Sequence, residues 1–253
     1  MDRAAVLARF DAQMRADPPA EAGLERAWVG GVLRATGAYN YIGWWDLTPE
    51  QAPEAARREA AFFRGLRQEV EWKVFSHDGP PGLGAALAAA GFEADDGETF
   101  LAFDLNEPGL DNADVPGVEV RRVTDAAGVA DLVTANAAAF GQAEPWRVAA
   151  LMPRLNDGSL GLYVAYDNDR PISSGRLELA AGRDFAGLYG GGTDPAWRGR
   201  GVYRALVAAR AAEARALGVR YLFVDARETS RPILERLGFE PLAKITGWVL
   251  PAP

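Results

Sequence analysis

Residues 193–203 have the sequence TDPAWRGRGVY, which follows an apolar stretch and precedes a regular helical pattern. Gly199 and Gly201 allow the backbone to adopt positive φ angles and to approach a ligand closely. A helix N-terminus carries unpaired amides and the positive end of the helix dipole, and both attract anions. Arg198 and Arg200 add cations that suit phosphate groups. The segment therefore predicts a turn that binds a pyrophosphate between a strand and a helix.

Two commoner phosphate-binding loops are excluded for this turn. A P-loop needs Gly-Lys followed by Ser or Thr, and the sequence has no lysine between Lys73 and Lys244. A dinucleotide fingerprint needs Gly-x-Gly-x-x-Gly, and the glycines here do not have that register. A surface turn without a ligand is the remaining alternative. The flanking elements favour binding, because three glycines at 190–192 precede the turn and an amphipathic pattern at 202–217 follows it.

Outward from this turn, hydrophobic periodicity predicts a mixed α/β unit. Alternating or short apolar runs predict strands at residues 118–123, 160–165, 172–179, 185–193, 221–224 and 245–250. Helical spacing predicts helices that begin at Asp125, run from Glu144 to Leu155 and from Val202 to Leu217, and end before Gly238. The predicted order is β-α-α-β-β-β-α-β-α-β.

The first half of the chain repeats part of this order. Strands are predicted at residues 28–33, 40–45, 70–76 and 99–105, and helices at 53–66 and 83–90. The pattern Leu-x-x-x-Gly-Phe-Glu occurs at residues 87–93 and again at 234–240, each time between a helix and a strand. Because glycine commonly ends a helix, internal duplication and chance both stay open here.

The composition of the 253 residues, 49% hydrophobic and 25% charged, is that of an ordinary globular protein. A formal net charge of −8 argues against a nucleic-acid partner. The absence of cysteine excludes disulfides and thiolate chemistry, and the single histidine, His77, excludes a multi-histidine metal site. No apolar run approaches the ~18 residues of a membrane span and no signal peptide is evident, so we expect a cytoplasmic protein without a membrane partner.

The charge is divided unevenly along the chain. Residues 1–116 contain 20 acidic and 10 basic residues, whereas residues 117–253 contain 15 acidic and 17 basic residues. The change coincides with a stretch at 106–117 that is rich in Pro, Gly, Asn and Asp and that predicts a linker. We therefore predict a first domain over residues 1–112 and a second over residues 117–253. The acidity of the first domain favours a cationic acceptor.

Residues 118–250 resemble the GNAT superfamily of acyl-CoA-dependent N-acyltransferases. The family motif is Gln/Arg-x-x-Gly-x-Gly/Ala after a strand that ends in a Val-x-Pro-like sequence. Residues 198–203 match its first and fourth positions, and residues 193–195 are similar to the strand end. The resemblance implies an α/β fold with a mixed sheet in the C-terminal half. The repeated pattern implies a smaller, degenerate GNAT-like copy in the first half, as in tandem members of the family.

The resemblance also implies acetyl-CoA as co-substrate. The Thr193 backbone would pair with its pantetheine arm between two splayed strands, at a β-bulge that the glycines at 190–192 suit. The pyrophosphate would bind the backbone amides of Arg198, Gly199, Arg200, Gly201, Val202 and Tyr203. Tyr203 departs from the family, which usually has Gly or Ala there. Its side chain either crowds the phosphates or points into the core.

The catalytic residues are less well defined. Leu234 stands where many members have a tyrosine that protonates the leaving thiolate, and Ser230, one turn earlier, either supplies a hydroxyl or caps a helix. A thiolate with a pKa near ~8.5 needs little help from an acid, so this loss is tolerable. Glu178 and Tyr189 are candidates for the acceptor side, each with a structural alternative. The weaker candidates for the general base are Asp225, Glu228 and His77.

We expect an enzyme that transfers an acetyl group from acetyl-CoA to a primary amine of a small molecule by direct attack. No metal is expected to take part. The missing tyrosine and the unassigned base leave a non-catalytic acyl-CoA sensor as an alternative. An acyltransferase that acts on protein amines is a third alternative.

Overall fold

The computed structural model describes residues 1–111, 113–141, 146–155 and 157–253. The chain folds into two compact units. The first contains Met1–Leu101, Asp225–Pro232 and Pro241–Pro253, and the second contains Ala102–Val224 and Ile233–Glu240. Two late segments of the chain therefore belong to the unit that its first half begins. The predicted domains at 1–112 and 117–253 stay a prediction, because the compact units describe which residues pack together and not which segments arose as one domain. The predicted boundary at residue 112 lies outside the described residues.

The first unit begins with helix α1 (Arg3–Phe10), which continues into a π-helical turn (Asp11–Ala16). A hairpin follows, formed by strands β1 (Leu24–Val29) and β2 (Val32–Gly37). The two glycines between them have φ angles of +51° and +81°, which reverse the chain. The prediction of one continuous strand at residues 28–33 is therefore wrong.

The first unit continues with alternating strands and helices that pack around fully buried Phe63, Trp72 and Leu87. These elements are β3 (Tyr41–Trp45), α2 (Ala52–Leu66), β4 (Val70–Phe75), α3 (Leu83–Ala90), β5 (Glu93–Ala94) and β6 (Glu98–Asp104), whose last three residues fall in the second unit. They lie close to the predicted positions, since the helices carry apolar residues at helical spacing on one face.

The second unit is a mixed α/β structure whose strands have the order β11-β10-β9-β8-β7. Its elements are β7 (Val118–Arg122), α4 (Ala126–Phe140), α5 (Trp146–Leu155), β8 (Leu160–Asp167), β9 (Arg170–Leu179), β10 (Phe185–Thr193), α6 (Val202–Ala216), β11 (Tyr221–Ala226) and α7 (Arg231–Arg236). Only β10 and β11 pair in parallel within this order, and the other neighbours are antiparallel. The predicted mixed α/β fold is confirmed. The predicted helix start at Glu144 lies outside the described residues.

The last strand, β12 (Glu240–Leu250), returns to the first unit and pairs antiparallel with β4. Both lysines of the sequence help to hold the segment Asp225–Pro232 in that unit. Lys73 Nζ lies 2.6 Å from Asp225 Oδ2, and Lys244 Nζ lies 3.3 Å from Glu228 Oε1. Burial opposes the charge of Lys73, but the neighbouring carboxylates outweigh burial and raise the pKa of its ammonium group.

The repeated pattern at residues 87–93 and 234–240 has the same geometry in both copies. The glycine of each copy ends a helix in the left-handed conformation, with φ angles of +96° and +94°. The amide of Phe92 donates to the carbonyl of Leu87, and the amide of Phe239 donates to the carbonyl of Leu234, both at 3.1 Å. Both phenylalanines are buried. The repeated sequence pattern therefore encodes the same helix end in both halves of the chain.

Candidate functional site

Strands β10 and β11 separate part of the way along their length. They pair at Phe185↔Tyr221, Ala186↔Leu222 and Gly187↔Phe223. Beyond Gly187, β10 runs on to Thr193 with no described pairing to β11. We call this opening the β10–β11 fork. The resemblance to the family implied such a separation of two strands.

A β-bulge lies in the separated part of β10. The register with β9 shifts between Tyr189↔Arg176 and Gly192↔Ser174, so β10 contains one extra residue. Gly190 has a φ of +58°, and its carbonyl accepts a hydrogen bond of 3.2 Å from Asn136 Nδ2 on α4. The bulge therefore falls on the three consecutive glycines.

The turn after β10 leaves backbone amides unpaired at the start of α6. Gly199 and Gly201 have φ angles of +74° and +87°, and Gly201 is the N-cap. The amide of Ala205 makes the first helical hydrogen bond, to the Gly201 carbonyl at 3.0 Å. The amides of residues 199–204 therefore lie outside the helix ladder. Gly199 has no atom within 4 Å of the point where a Cβ would stand, so the backbone is open to a ligand.

The side chains of Arg198, Arg200 and Tyr203 in this turn take different directions. Arg198 donates from Nε to the Thr193 carbonyl at 3.1 Å and from Nη2 to the Ala139 carbonyl at 3.0 Å. Arg200 is exposed and lies 4.8 Å from the Trp197 ring. The Tyr203 side chain packs on the backbone of Gly191, where a Cβ would come within 2.9 Å of its ring. Tyr203 is therefore half-buried and points towards β10.

Of the three residues predicted for catalysis, Tyr189 and Glu178 lie near the β10–β11 fork. Tyr189 lies in the β10–β11 fork, where its ring centroid is 6.1 Å from that of Phe223. Glu178 faces Gly187 across the β9–β10 ladder. Its carboxylate lies 3.5 Å from Arg176 and 3.7 Å from Arg154.

Neither Ser230 nor Leu234 takes the place of the tyrosine that protonates the thiolate in many members of the family. Ser230 belongs to the first unit, and its hydroxyl donates to the Arg227 carbonyl at 3.1 Å, so it stabilises the turn before α7. Leu234 is fully buried. The predicted absence of the family's tyrosine therefore leaves an apolar core residue at that position.

The weaker base candidates all belong to the first unit, and each has a charged or polar partner there. Asp225 binds Lys73, Glu228 binds Lys244, and His77 Nε2 lies 2.8 Å from Asp11 Oδ2. Within the described ranges, no group of three or more acidic or histidine side chains has the arrangement of a metal site. No described helix is long and apolar enough to cross a membrane.

Sequence reasoning missed the end of α4 as part of this site. Asn136, Ala139 and Phe140 contact the bulge or the turn through hydrogen bonds or ring packing. A helix end gives no local signal of which strand it will approach. The run of three glycines in β10 was the one indication that another element packs closely there.

Comparison with known proteins finds a family match that lies mostly in the second unit. Residues 129–239 match the family model described as the acetyltransferase (GNAT) family. A GCN5-related N-acetyltransferase from Kribbella flavida superposes with a TM-score of 0.74 at 15% identity, covering 99% of this chain and 95% of that one. A tandem GNAT protein from the clavulanic acid biosynthesis pathway gives 0.66 at 16% identity, covering 99% and 94%. No curated protein matches the sequence.

These likenesses extend beyond the segment that the family model matches. A GCN5-related N-acetyltransferase from Sphaerobacter thermophilus superposes with a TM-score of 0.63 at 14% identity, covering 87% of this chain and 80% of that one. At such identities the superpositions establish the fold. The tandem protein fits the tandem arrangement that the repeated pattern predicted.

Proposed function

We propose that this chain, whose residues 129–239 match the GNAT acetyltransferase family model, transfers an acetyl group from acetyl-CoA to a primary amine of a small molecule. The observation that carries the proposal is the combination of the β10–β11 fork, its glycine bulge and the open turn within one unit. A fork alone offers backbone edges, and a turn alone offers an anion site. Together they suit a ligand that carries both an amide-containing arm and phosphates.

The residues present fit the co-substrate, which supplies an activated thioester when bound. The unpaired amides from Gly199 to Arg204 would hold the pyrophosphate, with the exposed Arg200 beside them. The Thr193 backbone would pair with the pantetheine arm along the separated part of β10. A strand amide beside the bulge would donate to the carbonyl oxygen that gains negative charge as the amine attacks.

The proton balance of the reaction assigns roles to the remaining candidates. A free alkylamine has a pKa near ~10.4, so it must lose a proton before or during attack. We assign that proton to Glu178 through water, since Glu178 pairs with Gly187, the last residue of β10 before the fork opens. Tyr189 in the fork is the phenol that would donate towards the departing sulfur. Ser230 is the weakest candidate, because its hydroxyl serves a turn.

The activity is tested by incubating the protein with acetyl-CoA and a panel of small amines, and measuring release of the free CoA thiol. Turnover with at least one amine is expected. Binding of CoA without turnover on any amine would favour the non-catalytic sensor. Turnover with peptide amines alone would favour an enzyme that acts on proteins.

The placement of the pyrophosphate is tested by Gly201→Asp, which puts a carboxylate among the turn amides. We expect the Kd for CoA to rise by at least about tenfold, the equivalent of ~1.4 kcal/mol. Gly218→Asp is the matched control, since Gly218 has a similar φ of +76° at the other end of α6 and no atoms within 4 Å of its Cβ position. Equal affinities in the two variants would disprove the placement.

A further inference from the structure

A large aromatic side chain lies exposed beside the separated part of β10. Phe140, the last residue of α4, is 59% exposed, although most large apolar residues of this unit are buried. Its ring rests on the backbone of Gly192, where a Cβ would come within 2.6 Å of the ring and 2.8 Å of the Ala139 methyl group. The ring therefore stands next to Thr193, at the end of β10.

Two polar side chains fix the end of α4 in this place. One guanidinium group, that of Arg198, binds both the Thr193 carbonyl through Nε and the Ala139 carbonyl through Nη2. Asn136 donates to the Gly190 carbonyl one turn earlier on the helix. Nε and Nη2 of Arg198 thus donate to backbone carbonyls, one on the residue before Phe140 and one on β10.

The surface that results has two different chemical characters side by side. The separated part of β10 has no described partner strand on its β11 side, although the carbonyls of Gly190 and Thr193 each accept one side-chain hydrogen bond. The face of the Phe140 ring offers apolar area beside it. A matching ligand has amide groups spaced by short methylene segments, which is the chemistry of a pantetheine arm. A phosphate group gains nothing from the ring, because the ring has no donor and no charge. An adenine base can stack on such a ring, and a ligand that has the nucleotide and lacks the arm distinguishes the two contacts.

We propose that Phe140 is the apolar contact for the pantetheine arm, and that Arg198 is a positioning residue for Phe140 instead of a phosphate ligand. The inference rests on the proposed function, since it requires an acyl-CoA ligand. It assigns the two ends of the co-substrate to different parts of the second unit. The start of α6 binds the phosphates, and the end of α4 covers the arm.

The experiment compares two ligands, CoA and 3′-phosphoadenosine 5′-diphosphate, which shares the nucleotide end of CoA and lacks the arm. Their Kd values are measured by calorimetry for the wild type, Phe140→Ala, Arg198→Ala and the double variant. We expect each single variant to raise the Kd for CoA by about tenfold, typical of a lost large apolar contact, and to change that of the nucleotide less than about twofold. The double variant should bind CoA as Phe140→Ala does, because Arg198 acts through Phe140.

Three results would overturn the inference. Equal weakening of both ligands by Arg198→Ala would make Arg198 a phosphate ligand. Unchanged CoA affinity in Phe140→Ala would remove the ring from the arm. Additive losses in the double variant would show that Arg198 acts independently of Phe140.

Further variants separate charge and folding from positioning. Arg198→Lys keeps the charge but not the planar group that joins two carbonyls, so we expect it to bind CoA as weakly as Arg198→Ala; full rescue by lysine would contradict the inference. Phe62→Ala, which removes an exposed phenylalanine of the first unit, should change neither affinity. Phe140→Leu should retain most of the CoA affinity and the wild-type melting temperature. If the wild type binds neither ligand, the proposed function itself fails.

Discussion

The two units contain forks of the same design. In the first unit, β3 and β4 pair in parallel only at Tyr41↔Glu71 and Ile42↔Trp72 and then separate, as β10 and β11 do in the second. Each fork has a register shift in its first strand, at Gly43 in β3 and at the glycine run in β10. Each first strand is followed by a helix of 15 residues that returns to the second strand.

The forks differ in what fills them. In the first unit Arg15, from the π-helical turn, donates from Nε to the Gly43 carbonyl at 3.1 Å. The same guanidinium lies 4.0 Å from the Phe75 ring centroid and 2.6 Å from Asp78 Oδ2. The β3–β4 fork is therefore occupied by the protein's own side chain, whereas β10 has an exposed ring beside it and an open turn after it.

The helix starts differ as well. Residues 46–54, which lead into α2, contain three acidic residues and no basic one, and the N-cap Gln51 is in the right-handed conformation. The residues that lead into α6 contain two arginines and two glycines with positive φ. The comparison teaches that strand separation is a property of the fold, while the turn sequence and the occupant of the fork decide whether it can bind an anionic ligand.

The largest effect is expected from removing the occupant of the first fork. Arg15→Ala removes the cation that pairs with the buried Asp78 carboxylate and the donor to the Gly43 carbonyl, which should lower the free energy of unfolding by ~3–5 kcal/mol. Urea denaturation followed by circular dichroism measures the change. Arg57→Ala, at an exposed position on α2, is the control and should change it by less than ~0.5 kcal/mol. A loss below ~1 kcal/mol for Arg15→Ala would mean that the side chain does not hold the first fork together.

A smaller effect is expected at the two bulges. Gly192→Ala forces a methyl group against Phe140 and Ala139, so the free energy of unfolding should fall by ~1–3 kcal/mol. Gly43→Ala should cost less than ~1 kcal/mol, because the nearest atom is the edge of the Tyr41 ring, at 3.2 Å, which can move. Both values come from the same denaturation experiment. Equal losses of unfolding free energy in the two variants would show that the bulges are packed alike, which would contradict the difference between the two forks.

How much of this follows from sequence differs between the two forks. The turn, its glycines and the flanking elements of the second fork were predicted, because local patterns encode a strand, a positive-φ turn and a helix start. The Arg15 contacts were not, since they join residues far apart in the chain that carry no local pattern. For the same reason, the sequence assigned the Arg198 side chain to phosphates, while the structure shows it on the Ala139 and Thr193 carbonyls.

A further effect, of ~1 kcal/mol or less, is expected from pH, because His77 is partly exposed. The hydrogen bond to Asp11 outweighs partial burial and raises the pKa of His77 above its ordinary 6.5. The stabilisation should be fully present below pH 6.5, and it should be lost as the pH rises through the raised pKa. Denaturation of the wild type and His77→Gln between pH 5.5 and about 9 measures it. A constant difference between the two proteins would rule out this titration.

No effect at all is expected from CoA on the first fork. Arg15 occupies that fork and acidic residues lead into α2, so titration calorimetry should show one CoA site per chain. Gly201→Asp should abolish or weaken that one site and leave no second one visible. A stoichiometry of two CoA molecules per chain would show that the first fork also binds CoA, contrary to the difference described above.

The placement of β12 has a consequence for biosynthesis. Strand β4 receives β12 as its antiparallel partner, and residues 241–253 belong to the unit that residue 1 begins. A ribosome makes residues 1–239 before this partner exists, so the first unit starts earlier than the second and is completed later. Until then β4 presents an unpaired edge to its surroundings, which invites pairing with other nascent chains. Cutting the gene at the linker should therefore yield an aggregation-prone N-terminal fragment instead of a folded one.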